Sequence, residues 1–219
     1  MTKALKTALF DYGAGNLHSL AKALERGGAE VWITRDWDEA LSAEVLVLPG
    51  VGSFGAAVRA LGDRGDAVRE ALEGGLPCLG ICLGMQLFFE ESEEGEGRGV
   101  GLISGRVRKM EARRVPQMGW NDVDTRLDAD AAESDAADER GDPLFEGIDG
   151  LVAYYANSFV CEPDEQDVVT AVSEYDGREF VAGVRSGSTW GVQFHPEKSS
   201  SKGLRIIRNF LDLARDARS

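Results

Sequence analysis

The sequence predicts an α/β fold: a mostly parallel central sheet with helices on both faces, plus antiparallel strands in the C-terminal half. Three observations carry this expectation. The first half alternates short apolar runs with amphipathic ones, which is the pattern of strands and crossover helices. The second half drops the helices in favour of closely spaced β-rich runs joined by tight-turn residues. The 219 residues, 43% of them hydrophobic, suffice to bury one full core, so a single domain spanning 1–219 is expected.

Taken in order, residues 7–11 read as a strand and 16–26 as an amphipathic helix, followed by strands at 30–33 and 45–48. A long helix is expected at 56–73, and the Gly74-Gly75 turn precedes a strand at 78–81 and a run of helix formers at 85–94. This alternation of strand and helix argues for a parallel sheet covered by helices on both faces. Further strands are expected at 102–110, 123–126, 151–159, 168–175, 180–185 and 189–194. Between two of them stands Asp176-Gly177, the dipeptide that best fits a two-residue hairpin turn, and Ser186-Gly187-Ser188 makes a second. At 202–214, Leu204, Ile207, Phe210, Leu211 and Ala214 recur at helical spacing and predict a helix packed on the sheet. The stretch 128–142 is rich in Asp, Glu and Ala and holds too little apolar surface to order itself, so it reads as a mobile acidic surface loop.

Composition narrows the function classes. With 38 acidic against 24 basic residues the formal charge is −14, which argues against nucleic acid as a partner. Residues 128–142 contribute a net −6, which leaves −8 on the rest of the chain, so the acidity is spread over the surface. Only six of the basic residues are lysine, and this diffuse carboxylate excess predicts a protein suited to concentrated salt, where self-repulsion is screened. No apolar run reaches membrane-spanning length and the N-terminal residues lack a signal-peptide core, so a cytoplasmic location without a membrane partner is expected. Three cysteines and two histidines match neither a disulfide framework nor a zinc site; reduced thiols, no metal and no cofactor are expected.

Chemistry enters at Gly80-Ile81-Cys82-Leu83-Gly84, where a buried strand gives way to a helix. Glycines two residues either side of Cys82 leave room for a sharp bend and for an approaching carbonyl, as in a nucleophile elbow. Unpaired N–H groups at the helix start favour the thiolate that attacks carbonyls. The base must be His18 or His195. His18 opens an amphipathic helix, where capping or surface contact is the expected role. His195 ends an apolar run and precedes Pro196, which biases it toward an extended backbone. Residues i and i+2 of an extended chain share a face, so Glu197 reaches the side of His195, orients its ring and stabilises the imidazolium. Cys82, His195 and Glu197 form the expected triad. A tetrahedral intermediate also needs oxyanion donors. One is the N–H of Leu83, directly after the nucleophile. The second is expected from Val51 or Gly52, in a glycine-rich loop (49–55) that leaves the strand 45–48 at the same sheet edge. That loop lacks the Lys of a phosphate-binding P-loop and the dinucleotide spacing.

PGVGSFG (49–55), GICLGMQ (80–86) and GVQFHPEKS (191–199) stand in the order and spacing of the class I, triad-type glutamine amidotransferases, and the chain resembles that family over almost its whole length. DYGAGNL (11–17) and PQMGWN (116–121) resemble most closely the branch serving imidazole glycerol phosphate synthesis in the histidine pathway. The resemblance implies a flavodoxin-like sheet and a glutaminase, with glutamine cleaved to glutamate and ammonia through a cysteinyl thioester. It implies that Gln86 and Glu94 bind the amino-acid end of glutamine, helped by Gly52 and by backbone of Asn157, Ser158 and Phe159. It further implies a heterodimer with a (β/α)8 cyclase that consumes the ammonia, contacted through Asn16, Met118, Trp120, Asn121 and Lys198. The motifs fill residues 11–199, which likewise predicts an ammonia acceptor on another polypeptide. Gly50 and Gly52 flank a peptide unit free to rotate, so partner binding is expected to complete the oxyanion hole. Two departures stand out: the family carries histidine where this chain has Gln117 and Asn157. The competing assignments are a glutaminase subunit of another pathway, a thiol-bearing stress or chaperone module on a similar fold, and a cysteine peptidase. DYGAGN with MGWN speaks against the first, and no sign of an extended peptide groove supports the last.

Overall fold

The computed structural model describes residues 4–13, 15, 17–125 and 141–218. Seven strands form the main sheet: β1 (Leu5–Phe10), β2 (Ala29–Thr34), β3 (Val45–Leu48), β4 (Cys78–Ile81), β10 (Val169–Tyr175), β11 (Arg178–Ser186) and β12 (Thr189–Val192). Their spatial order is β10-β11-β12-β4-β3-β1-β2. Pairing is parallel from β2 through to β12 and antiparallel for β12 with β11 and β11 with β10. The mostly parallel sheet with an antiparallel C-terminal extension is the one predicted.

Alternation within the strands divides the core in two. Leu5, Leu9, Val45, Val47, Leu79 and Ile81 face a layer built with α1 (His18–Arg26) and α6 (Ser200–Asp216). Ala8, Phe10, Leu46, Leu48 and Cys78 face α2 (Trp37–Leu41), α3 (Phe54–Leu61) and α4 (Gly65–Glu73) on the other side. Every residue of β3 and β4 is buried, which explains their unbroken apolar character.

Several elements depart from expectation. The run 56–73 is two helices, because the chain turns at Gly62 with φ +59° before α4 begins. The short helix α2 was not predicted; the Asp36 side chain caps it through Asp38 and Glu39 N–H. The elbow helix expected at 85–94 is only the turn α5 (Leu83–Gln86), and Glu91–Ser92 is instead a short strand, β5, on β6 (Gly105–Lys109). Met85, Leu87, Phe88 and Phe89 are all fully buried, so this segment has no solvent face for an amphipathic helix to present. The run 151–159 divides into β8 (Leu151–Asn157) and β9 (Phe159–Pro163), which join different small sheets. β7 (Gln117–Val123) pairs antiparallel with β8, so the expected strand at 123–126 is mainly N-terminal to its predicted place. Asp176 (φ 54°) and Gly177 (φ 76°) form the predicted hairpin turn, with Tyr175 opposite Arg178.

Most of the expected acidic loop, 128–140, lies outside the described residues. Its last residue, Asp142, does not belong to a mobile loop. Its side chain caps Leu144, accepts from Trp190 Nε1 at 3.0 Å and pairs with Arg185 at 3.3 Å, with only 6% exposure. Among the described residues, no helix is long and apolar enough to cross a membrane.

Candidate active site

Three side chains from two separate parts of the chain meet where β4 and β12 lie side by side. The Cys82 N–H donates to the Val192 carbonyl at 2.7 Å, which locks the elbow onto the strand leading to His195. Cys82 takes φ +48°, a left-handed conformation that costs an L-residue energy and is kept where function or packing demands it. The flanking glycines are steric necessities. A Cβ on Gly84 would strike the Leu48 carbonyl, and one on Gly80 would come within 2.6 Å of the Phe88 ring.

His195 is held from behind. Its N–H donates to Tyr154 O at 2.8 Å, while the Ser199 hydroxyl donates to His195 O at 2.6 Å and accepts from Tyr154 N–H at 2.9 Å. Glu197 Oε1 lies 3.0 Å from His195 Nδ1, both side chains being buried, and this leaves Nε2 to face the sulfur. Burial disfavours the charged ring. Hydrogen bonds and charge from Cys82 and Glu197 outweigh it, raising His195 from the usual 6.5 to about 9. The structure thus brings Cys82, His195 and Glu197 together, with an imidazole able to hold a proton beside the sulfur. Cys78 and Cys161 have no such partner among the described residues, and burial pushes both thiols far up, away from the thiolate form. His18 is exposed at the first position of α1.

The glycine loop closes over the pair. A Cβ on Gly50 would lie 2.8 Å from Cys82 Cβ and 2.9 Å from His195 Cε1, so the bare backbone at 50 lines the space between Cys82 and His195. Gly52 adopts φ +109°, and the half-buried Val51 packs against the core beneath. Leu83 opens α5, so its N–H is among the first amides of a helix, which have no partner within it.

Residues expected to hold the substrate lie around this centre. Gln86 is buried on α5, and its Nε2 donates to Phe159 O and to Gln193 Oε1, each at 3.2 Å. Asn157 Nδ2 also donates to Phe159 O, at 3.1 Å, and Ser158 O accepts from Met110 N–H. Glu94 departs from expectation in its position alone. It sits in a turn beyond β5 rather than on the elbow helix, and its Oε2 accepts from Phe54 N–H at 2.7 Å at the start of α3. It therefore braces the glycine loop's far end.

Gln193, which the sequence reading passed over, is fully buried and donates from Nε2 to Cys82 Sγ at 3.4 Å. The signal was present: 193 and 195 are two apart, the same-face spacing that linked 195 to 197.

The segments expected to face a partner split by strand alternation. Met118 and Trp120 are 68% and 56% exposed on the outer face of the β7–β8 ribbon, beside exposed Val152. Trp120 meets Tyr154 edge-on and the exposed Lys198 lies over the Tyr154 ring at 5.8 Å. Asn121 turns the other way, donating to Glu174 O at 2.8 Å, so it does not join that patch. Gln117 and Asn157 are cross-strand neighbours on the buried face. Asn16 lies outside the described residues.

With this geometry in place, relatives sort the chain directly: the family model "Glutamine amidotransferase class-I" matches residues 8–214. The chain belongs to the class I glutamine amidotransferases. Within the family it is 44% identical over 215 residues to the imidazole glycerol phosphate synthase subunit HisH of Moorella thermoacetica, with 96% of each chain covered. It is 41% identical to the same subunit of Natronomonas pharaonis, covering 96% of this chain and 95% of the relative. To that of Halobacterium salinarum it is 42% identical, covering 94% and 92%. The solved structure of PurLQS from Thermotoga maritima superposes with TM-score 0.67 at 21% identity, covering 96% of this chain and 99% of the matched one. At that identity it supports the fold alone.

Proposed function

We infer that this chain is the glutaminase subunit of imidazole glycerol phosphate synthase, cleaving glutamine through Cys82 and passing the ammonia to a cyclase subunit of the (β/α)8 type. The observation that carries the chemistry is the buried Cys82–His195–Glu197 line beneath the bare backbone of Gly50. The pathway rests on the full-length similarity to HisH subunits at 41–44% identity.

In this reading the Cys82 sulfur attacks the side-chain amide carbon of glutamine, forming the C–S bond as the carbonyl electrons move onto oxygen. The N–H of Leu83 and one from Val51 or Gly52 receive that oxyanion. His195 then gives its proton to the departing nitrogen, the C–N bond breaks, and ammonia leaves a glutamyl thioester. Water attacks the thioester as His195 takes its proton; the C–S bond breaks, freeing glutamate and restoring the sulfur. Glu197 keeps Nε2 directed at the sulfur and offsets the ring's charge in both halves. Gln86 and Glu94, with Gly52 and the backbone at 157–159, hold the amino-acid end of glutamine, and Glu94 also braces the glycine loop. The exposed Met118–Trp120 patch, with Lys198, is the surface offered to the cyclase. Its aromatic and thioether side chains are the kinds that dominate interface energetics.

The test measures glutamate release from glutamine by the chain alone and mixed with a HisF-type cyclase and its nucleotide ligand. Release is expected in the mixture and is lost in Cys82→Ala, a fall of at least about a thousandfold. Absence of release in every pairing overturns the assignment.

A further inference from the structure

We propose that Gln193 is a catalytic residue: the last member of a directional amide relay that places a hydrogen-bond donor on the Cys82 sulfur opposite the imidazole. The proposal rests on Cys82 being the nucleophile but not on the identity of the acceptor subunit.

The direction follows from a group that cannot turn over. Phe159 O is a backbone carbonyl and only accepts, so the atom of Gln86 facing it at 3.2 Å must be the amide nitrogen. The second hydrogen of that NH2 group points to Gln193, 3.2 Å away, which fixes the facing atom of Gln193 as Oε1. Gln193 then presents its own NH2 to Cys82 Sγ at 3.4 Å. Asn157 Nδ2 donates to the same Phe159 carbonyl at 3.1 Å and steadies the relay's origin. Gln193 is fully buried and Gln86 nearly so, so water does not compete for these bonds, and the Gln193 N–H donates to Ala182 O at 2.9 Å to fix its backbone.

A donor on sulfur favours the thiolate over the thiol, and the preference grows in a site from which water is excluded. The relay therefore supplies from the protein part of what the imidazolium supplies by charge. It also ties the nucleophile's environment to Gln86, the residue expected to line the substrate pocket. Loss of Gln86 leaves the Gln193 amide free to rotate and offer its oxygen to the sulfur instead.

The test is alkylation of Cys82 by iodoacetamide in the full chain, followed peptide by peptide in a mass spectrometer across about pH 5–9, where thiolate formation controls the rate. Gln193→Met keeps the length of the side chain and removes the donor. Near neutral pH it is expected to slow alkylation about tenfold, the difference closing at higher pH as solvent removes the proton unaided. Gln86→Met is expected to slow it about threefold, and the double variant to match Gln193→Met alone, because both act through one contact. A wild-type pH profile in folded Gln193→Met, or slowing that is equal at every pH, overturns the relay, as do two effects that multiply. If Gln193→Met does not fold, an unchanged profile in folded Gln86→Met overturns it. Failure to label Cys82 in the wild type, by contrast, removes the nucleophile assignment itself.

Discussion

Gly50 is where a single methyl group decides the chemistry. A Cβ there meets Cys82 Cβ, His195 Cε1 and the Ile81 carbonyl all within 3.0 Å, so Gly50→Ala must push Cys82 and His195 apart or lift the loop. We expect glutaminase activity to fall about a hundredfold while the unfolding free energy drops by about 1–3 kcal/mol; full activity in Gly50→Ala contradicts the packing described. The contacts of the His195 ring with Cys82 and Glu197 make a separate prediction about pH. The folded ring titrates near 9 instead of 6.5, so the charged ring contributes stability that is fully present below pH 6.5 and is lost as pH rises through about 9. The melting temperature of Glu197→Gln should accordingly fall furthest below wild type in mild acid and approach it above pH 9; a gap that widens with pH reverses the assignment. The meeting of Cys82 and His195 was legible in the sequence because their residue types are scarce: two histidines, of which one ends an apolar run, and one cysteine between spaced glycines. Gln193 escaped notice because glutamine is an ordinary residue, and its importance arises from contact with a residue 111 positions away.

At the scale of elements, α3 begins where the glycine loop ends, and two side chains receive its first amides. Ser53 Oγ accepts from Ala56 N–H and Glu94 Oε2 from Phe54 N–H, the latter bond being charge-assisted. Removing the longer-range partner in Glu94→Ala should cost about 1–2 kcal/mol of stability and raise the KM for glutamine several-fold through disorder at residues 50–53. Unchanged kinetics and melting in this variant would show that Ser53 suffices. Periodicity located β1, β3, β4 and α6 because their apolar patterns are simple. It misplaced α5 because a segment buried on every side carries no phase. It merged β8 with β9 because the chain changes sheets at Ser158 without a Gly or Pro to mark the break.

For the whole molecule, two surfaces make predictions. Trp120, 56% exposed on the β7–β8 ribbon, is expected to anchor the cyclase, and Trp120→Ala should weaken binding at least about tenfold without lowering the melting temperature. Titration calorimetry with the isolated cyclase checks this, and equal affinities dismiss the patch. The diffuse charge of −14 predicts that molar potassium chloride raises the melting temperature; identical melting in dilute buffer removes the idea of adaptation to salt. Alternation of the ribbon, invisible until β7 was seen to pair with β8, sends Met118 and Trp120 outward and Gln117 inward, so one motif serves two sides. The order of strands has a further consequence. Because β12 is wedged between β11 and β4, the elbow formed early in the chain meets its imidazole only when that late strand slots into place. On a chain still emerging from the ribosome, the Cys82 thiol accordingly has no imidazole beside it until β12 docks.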